Sequence, residues 1–362
     1  MSRRTRAIGL FAAAGTLGTV LALAAPPATA EPAWRVVASG LNSPRSLTVG
    51  ADDDIYVAES GKGGSGPCAE HPALGRACLG LTGSITRVDP DGADERVVTR
   101  LPSLAGKTEA IGPMDVLVGR HDRYVASIGL GASDKVRGAY GAAGKDLGTL
   151  VKGRLDSDAH RAFADVVANE VANNPDRTDI DSNPAGIARS GKGFVVADAG
   201  GNAIVRASKH GRFRTVTALP PAAKKADSVP TAIVRGPDDA WYVSELTGFP
   251  FTKGASRIWR IEDGTAKVYA TGLTNVTDLA FDCDGKLYAV QIAANGLTSG
   301  SPGSLVRVRA GASTHPTVLG GLVAPYGIAI DDDTAYVSVR TLSMNGGGQV
   351  IEVPPEVLTR AQ

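Results

Sequence analysis

One short strand returns six times along this chain, and it restricts the possible folds more than any other feature. It reads Ile55-Tyr56-Val57-Ala58, Arg123-Tyr124-Val125-Ala126, Phe194-Val195-Val196-Ala197, Trp241-Tyr242-Val243-Ser244, Leu287-Tyr288-Ala289-Val290 and Ala335-Tyr336-Val337-Ser338. The second residues of successive copies are 68, 71, 47, 46 and 48 positions apart. A period in the forties built on a β-branched and aromatic strand is that of a four-stranded propeller blade, and the two long steps are blades carrying an insertion. Ahead of each copy stand a proline-containing turn, a short apolar strand and an Asp/Gly turn. Behind it come a third strand, as at 84–88 and 257–261, and a fourth, as at 96–101 and 214–219.

The last copy reaches its third strand at 349–353 and the sequence ends soon after. Its missing fourth strand is found at the other end, as Arg35-Val36-Val37-Ala38-Ser39-Gly40-Leu41. Pairing the two closes the ring and removes the edge that an open array would expose. The expected fold is therefore all-β: a six-bladed β-propeller of four-stranded blades over 31–362, closed by the N-terminal strand, with insertions at about 60–82 and 128–180. One inserted helix is expected, since Ala159, Phe163, Val166, Val167 and Val171 share a helical face. Asp156 or Ser157 would cap it, Asn173-Asn174-Pro175 would stop it, and it would replace the fourth strand of blade two.

Residues 1–30 read as a signal peptide. Arg3, Arg4 and Arg6 precede an apolar run, and Ala28-Thr29-Ala30 offers a cleavage site after Ala30. Ser2-Arg3-Arg4 lacks the rest of a twin-arginine motif, so the general export route is expected, with a secreted product and no membrane span after cleavage. Of 38 basic residues three lie in that leader, against 37 acidic residues overall. The remaining chain is close to neutral, which argues against nucleic acid as a partner. Cys68 and Cys78 stand close together in a glycine-rich stretch. An exported chain can join them in a disulfide; a metal site is the other reading, although no second Cys or His pair completes it. Cys283 reads as a lone, inert thiol.

The loops after the second strand are enlarged in five blades of six, at 59–83, 127–148, 245–256, 291–303 and 339–348. Length gathered on one face of a rigid scaffold is how loops build sites. The residues ending the second strands (Glu59, Ser127, Asp198, Glu245, Gln291, Val339) are expected to ring the channel mouth there. A second ring comes from Ser46, Asp115, Gly186, Ala232, Asp278 and Gly327. Glu59, Asp115, Asp198, Glu245, Asp278 and Gln291 are the candidate ligand-binding residues. Glu59, Asp198 and Glu245 could hold a divalent cation, calcium or zinc, or act as acid and base; the alternative is a solvated polar funnel. The clusters Asp52-Asp53-Asp54, Pro237-Asp238-Asp239, Asp282-Cys283-Asp284-Gly285 and Asp331-Asp332-Asp333 share one phase and lack the ligand spacing of a calcium loop, so they read as hairpin turns. There is no Gly-x-Ser-x-Gly or His-Glu-x-x-His motif, and His71, alone on the loop-rich face, reads as a bystander.

Asn183-Pro184-Ala185-Gly186-Ile187-Ala188, followed by Val195 to Ile204, resembles an NHL repeat. The chain as a whole resembles the bacterial ScyD/ScyE family. The marks are Gly40-Leu41-Asn42-Ser43-Pro44-Arg45, Ala58-Glu59-Ser60-Gly61 leading to Gly66-Pro67-Cys68, Gly83-Ser84-Ile85-Thr86-Arg87, Asn173-Asn174-Pro175-Asp176 and Asp181-Ser182-Asn183-Pro184. The resemblance implies an exported six-bladed propeller and no agreed activity. The fold is also similar to that of the gluconolactonase and strictosidine-synthase groups. The lactonases hold a divalent metal with a glutamate before the first strand, and the matching Asn42-Ser43-Pro44-Arg45 has none. Three functions stay open: a monomeric propeller binding a small molecule or an extracellular protein or envelope partner on its loop-rich face, a metal-assisted hydrolase or lyase, and a structural envelope component.

Overall fold

The computed structural model describes residues 33–89, 93–300 and 302–359. The leader at 1–30 lies outside them. The chain forms six antiparallel sheets, and the first strand of each touches that of the next, the sixth touching the first. These innermost strands are Pro44–Val49, Pro113–Gly119, Pro184–Ser190, Pro230–Arg235, Val276–Phe281 and Ile328–Asp331. Four begin with proline, which is tolerated there because the first residue of a strand can go without an amide donor. In blades one to five the register slips within the first four residues, as between Pro113 and Asp115 or Val276 and Asp278. That bulge turns the following side chains toward the axis.

The second strands are the cores of the blades: Ile55–Glu59 and Leu287–Gln291 are buried along their whole length. Alternate residues face the neighbouring blades on either side. Val57, for example, packs with blade six while Tyr56 and Ala58 pack with blade two. Each such aliphatic side chain contributes roughly 1.5–3 kcal/mol. In blades one, four and five the hydroxyl of the repeat's tyrosine is satisfied at the hairpin turn. Tyr56 donates to Asp52 at 2.8 Å, Tyr242 to Asp238 at 3.1 Å and Tyr288 to Asp282 at 3.2 Å. Three of the four acidic turns are thus hairpins whose first aspartate also receives a phenol.

Blade six takes its outer strand from the N-terminus. Arg35–Leu41 pairs with Gly348–Val353, and Arg35 forms an ion pair with Glu352 at 2.5 Å. Blade two corrects the expected helix. Residues 160–165 are a fourth strand, His160–Asp165, paired with Thr149–Arg154, and the helix is only Val166–Asn173. Without that strand the blade would expose an unpaired edge, and Phe163 would leave the ring of Phe194 in blade three, 5.7 Å away. Asp165 caps the helix by accepting the Ala168 amide, and Asn174, left-handed, ends it. In blade one the insertion folds as a hairpin, Cys68–His71 against Gly75–Val88, in which Cys68 and Cys78 face each other and form a disulfide. The bond suggests a non-cytosolic compartment. No helix among the described residues is long and apolar enough to cross a membrane.

Candidate functional site

The six first strands surround an axial channel of about 380 Å³, walled by Leu47, Ile187, Ile233, Leu279 and Ile328 and containing Asp115 and Asp278. Exposure along these strands rises toward the hairpin turns, where Arg189 and Arg235 stand on the rim. The channel therefore opens on the turn face. At the loop-rich end Met114, Ile292, Ala293 and Tyr326 form one buried cluster. Met114 belongs to blade two and Ile292 to blade five, and opposite blades of a six-membered ring meet only across the axis, so this cluster plugs the channel. Arg45, 2% exposed, lies over Tyr326 and donates to Ala110 O at 2.6 Å, to Ser60 Oγ and Thr341 Oγ1 at 3.2 Å, and to Glu109. Asp115 and Asp278, expected at a channel mouth on the loop-rich face, lie instead in a channel that opens on the opposite face.

Asp115 and Asp278 form the inner end of the channel. Asp115 accepts the Val116 amide at 2.7 Å and, from blade three, the Ile187 amide at 2.8 Å. Asp278 repeats this with Leu279 at 2.8 Å and, in blade six, Ile328 at 3.1 Å. The amides favour the charged form, but burial outweighs them. Asp115 is pushed up to about 7, and Asp278, which also feels the charge of Asp115, to about 8. At the equivalent positions the first three blades carry Ser46, Asp115 and Gly186, and the last three Ala232, Asp278 and Gly327. The axis thus has an approximate two-fold pattern. The glycines are required, because a β-carbon at Gly186 would stand 2.6 Å from Ala232 Cα and one at Gly327 2.6 Å from Ser46 Cα.

The other candidate residues are not brought together. Glu59 is buried within blade one, bonded to Arg96 at 2.9 Å, to Ser84 and Thr86, and to the Asn42 amide at 2.5 Å. Glu245 is bonded in blade four to Arg257 at 2.7 Å and to the Trp259 indole at 2.7 Å; burial raises its pKa even so. Gln291 accepts the Thr274 amide at 2.6 Å and donates to Ser304 at 2.9 Å. Asp198 accepts the Asn183 amide at 2.7 Å and the Ser182 hydroxyl at 2.8 Å. The end of the second strand is thus a tether: in blades one, three and five its side chain holds the chain entering the blade. No three acidic, histidine or cysteine side chains among the described residues are placed to hold a metal ion, so Glu59, Asp198 and Glu245 do not form the centre expected of them.

Asp198 has acidic company of another kind. Glu170, 1% exposed, and Asp181 lie close by; burial raises Asp198 to about 6, and burial with repulsion from Asp198 and neighbouring aspartates raises Glu170 to about 8 and Asp181 to about 6. His71 is buried, bonds Leu130 O through Nε2 at 2.7 Å, and burial lowers its pKa, so it is a neutral clamp between blades one and two. Cys283 is exposed beside Asp333, which raises the thiol and makes it a poor nucleophile. Sequence reasoning missed Arg45, Tyr326, Arg189 and Arg235. The first two immediately precede Ser46 and Gly327 of the inner ring, which was the available signal.

Fold and axial site together define the class: a closed six-bladed β-propeller with an acidic, dead-ended central channel. Solved structures share the fold. A gluconolactonase from Xanthomonas campestris is 10% identical over 88% of this chain and 88% of that one, with a TM-score of 0.52. A protein of unknown function from Bacteroides thetaiotaomicron is 10% identical over 88% and 72%, at 0.53. A catalytically inactive virginiamycin B lyase from Staphylococcus aureus is 12% identical over 88% and 97%, at 0.47. No family model and no curated protein matches the chain. At these identities the likeness is one of fold.

Proposed function

We propose that this protein is an exported binding propeller, similar to the ScyD/ScyE proteins, that takes a small amphoteric molecule into its central channel from the turn face. The carrying observation is the pair Asp115 and Asp278 at the closed end of an apolar channel, with Arg189 and Arg235 at its mouth. Among the described residues the basic side chains lining the channel are the two at its rim, and Arg45 in the plug is already engaged with Glu109 and neutral oxygens, so an ammonium group is the natural complement of the pair. Three or four strand residues separate it from the rim, roughly 10 Å at about 3.3 Å per residue. A ligand with an amine at one end, an acidic group at the other and a short apolar body matches both ends, and the channel volume is in the range of small-molecule sites.

The test is thermal shift and calorimetry with ε-aminocaproate, hexylamine and caproate on the parent and on Asp115→Asn/Asp278→Asn. Binding in the order ε-aminocaproate, hexylamine, caproate, lost in the variant, supports the reading. Equal binding to parent and variant, or no preference for an amine, sinks it.

A second reading, a protein or envelope partner on the loop-rich face, is favoured by apolar side chains left exposed there. Phe249 is 76% exposed, and Leu81, Val323 and Leu342 are exposed on other loops of that face. Phe249→Ser with Leu342→Ser would then abolish attachment to isolated cell envelopes without changing the melting point or the channel ligand.

A further inference from the structure

Blades two and three carry an excess of positive charge that the near-neutral whole conceals. On their turn side three clefts adjoin. The first, of about 360 Å³, is lined by Arg123, Lys152, Arg154, Arg161 and Arg189. It shares Lys152 and Arg161 with a second, of about 330 Å³, which adds Lys209 and His210. Those two residues continue into a third, of about 330 Å³, with Lys192, Arg206, Arg212 and Arg214. Of these basic side chains only Arg154 has an ion pair among the described residues, a loose one to Asp122 at 3.6 Å. The cations instead crowd one another: burial and the charges of Arg161 and Lys209 lower the pKa of Lys152, whose ammonium rests 4.5 Å from the centre of the Phe163 ring. A folded surface does not gain stability by gathering like charges this way, so the arrangement calls for an anionic complement.

We infer that this track binds a linear polyanion bearing closely spaced phosphate or sulfate groups. Three clefts joined end to end by shared residues suit a chain of charges, whereas one anion would fill a single cleft. A flexible polymer also fits better than nucleic acid. Single strands are held by stacking bases on open aromatic faces, and of the two phenylalanines lining the track Phe163 is covered by Lys152 and Phe213 is half-buried. The track meets the channel only at Arg189, which the test variant leaves unchanged, so the two sites can be tested separately.

The experiment measures binding of polyphosphate, heparin, single-stranded DNA and inorganic phosphate to the protein at two salt concentrations. The variant is Lys152→Gln/Arg161→Gln/Lys209→Gln/Arg212→Gln, with Lys253→Gln on the other face as control. Either polymer binding the parent, weakening steeply with salt, and losing at least about tenfold in the variant but not in the control supports the inference. Polyphosphate or heparin, whichever binds more tightly, identifies the group recognised. Binding unaffected by the four substitutions, phosphate binding as tight as the polymers, or a preference for DNA overturns it. A melting curve confirms that the variant is folded, and restoring Lys152 and Arg161 must restore affinity in part.

Discussion

The guanidinium of Arg45 stands 4.9 Å from the centre of the Tyr326 ring, and the pair closes the channel from the loop-rich end. Arg45 lies in the first strand of blade one and Tyr326 just before the first strand of blade six, and those two strands touch. Among the described residues Arg45 has one carboxylate partner, Glu109, which is partly exposed. Stability at this point comes from the guanidinium donating to several neutral oxygens at once while covering an aromatic face.

That geometry makes lysine a poor substitute. A single ammonium cannot reach Ala110 O, Ser60, Thr341 and Glu109 together, nor stack as a plane. Arg45→Lys is expected to cost about 2–3 kcal/mol, the scale of buried acceptors left without donors. Tyr326→Ala, which empties a buried aromatic position, is expected to cost about 3–5 kcal/mol. Urea unfolding curves check both, and a lysine variant as stable as the parent would show that the plug does not rely on the planar fork.

Closure makes a second expectation. Deleting residues up to Leu41 removes the outer strand of blade six together with the buried Ala38 and Leu41. The exposed edge of Gly348–Val353 would then be free to pair between molecules. The truncated protein should lose its single sharp thermal transition and self-associate. A sharp, unshifted transition from a monomer would show that the N-terminal strand is dispensable.

The repeat, the blade count and the borrowed strand are legible in the sequence because they rest on period and strand composition, which do not depend on side-chain direction. What the strand ends do is not legible. Glu59 and Glu245 occupy equivalent positions in opposite blades, so sequence alone points them at the axis; the partners that hold them inside their own blades, Arg96 and Arg257, lie 37 and 12 residues away. The register slip in the first strands is equally invisible, yet it sets Asp115 and Asp278 on the channel. The helix misreading has the same origin: Phe163 and Val166 lie three apart whether the chain between them is strand or helix, and only the need to complete blade two decides.

Turn aspartates give a third, local test. Tyr242→Phe removes the phenol that Asp238 accepts but leaves Asp238 bonded to Arg260 at 2.7 Å. The loss should be small, about 0.5–1.5 kcal/mol. Asp52→Ala removes the hydrogen-bond acceptor of the nearly buried Tyr56 hydroxyl and should cost more than Tyr242→Phe. Equal costs in differential scanning would mean that the Tyr56 hydroxyl is satisfied by water.

The channel carboxylates predict how stability changes with pH. Asp115 and Asp278 have folded pKa values of about 7 and about 8, against an ordinary value of 3.8. Below pH 4 both are protonated whether the chain is folded or not, and their contribution is intact. Between pH 4 and 8 the folded protein keeps protons that the unfolded chain has released, so stability is lost progressively as pH rises and levels off above 8. Each group can remove at most about 1.4 kcal/mol per pH unit within its window. Glu170, Asp181 and Asp198 are raised as well and add to the same slope, so the decisive quantity is the difference between proteins. His71 acts in the opposite sense, destabilising as pH falls below about 6.5, and its effect cancels in that difference. Asp115→Asn/Asp278→Asn places an amide donor against one backbone amide at each site, which costs stability at low pH, but it has nothing to titrate. Its unfolding free energy should therefore fall less steeply than the parent's from pH 5 to 8, and the two slopes should agree above pH 9. Parallel curves across pH 5 to 8 would mean that both channel carboxylates are ionised throughout, with a bound cation or solvent in the channel offsetting their burial.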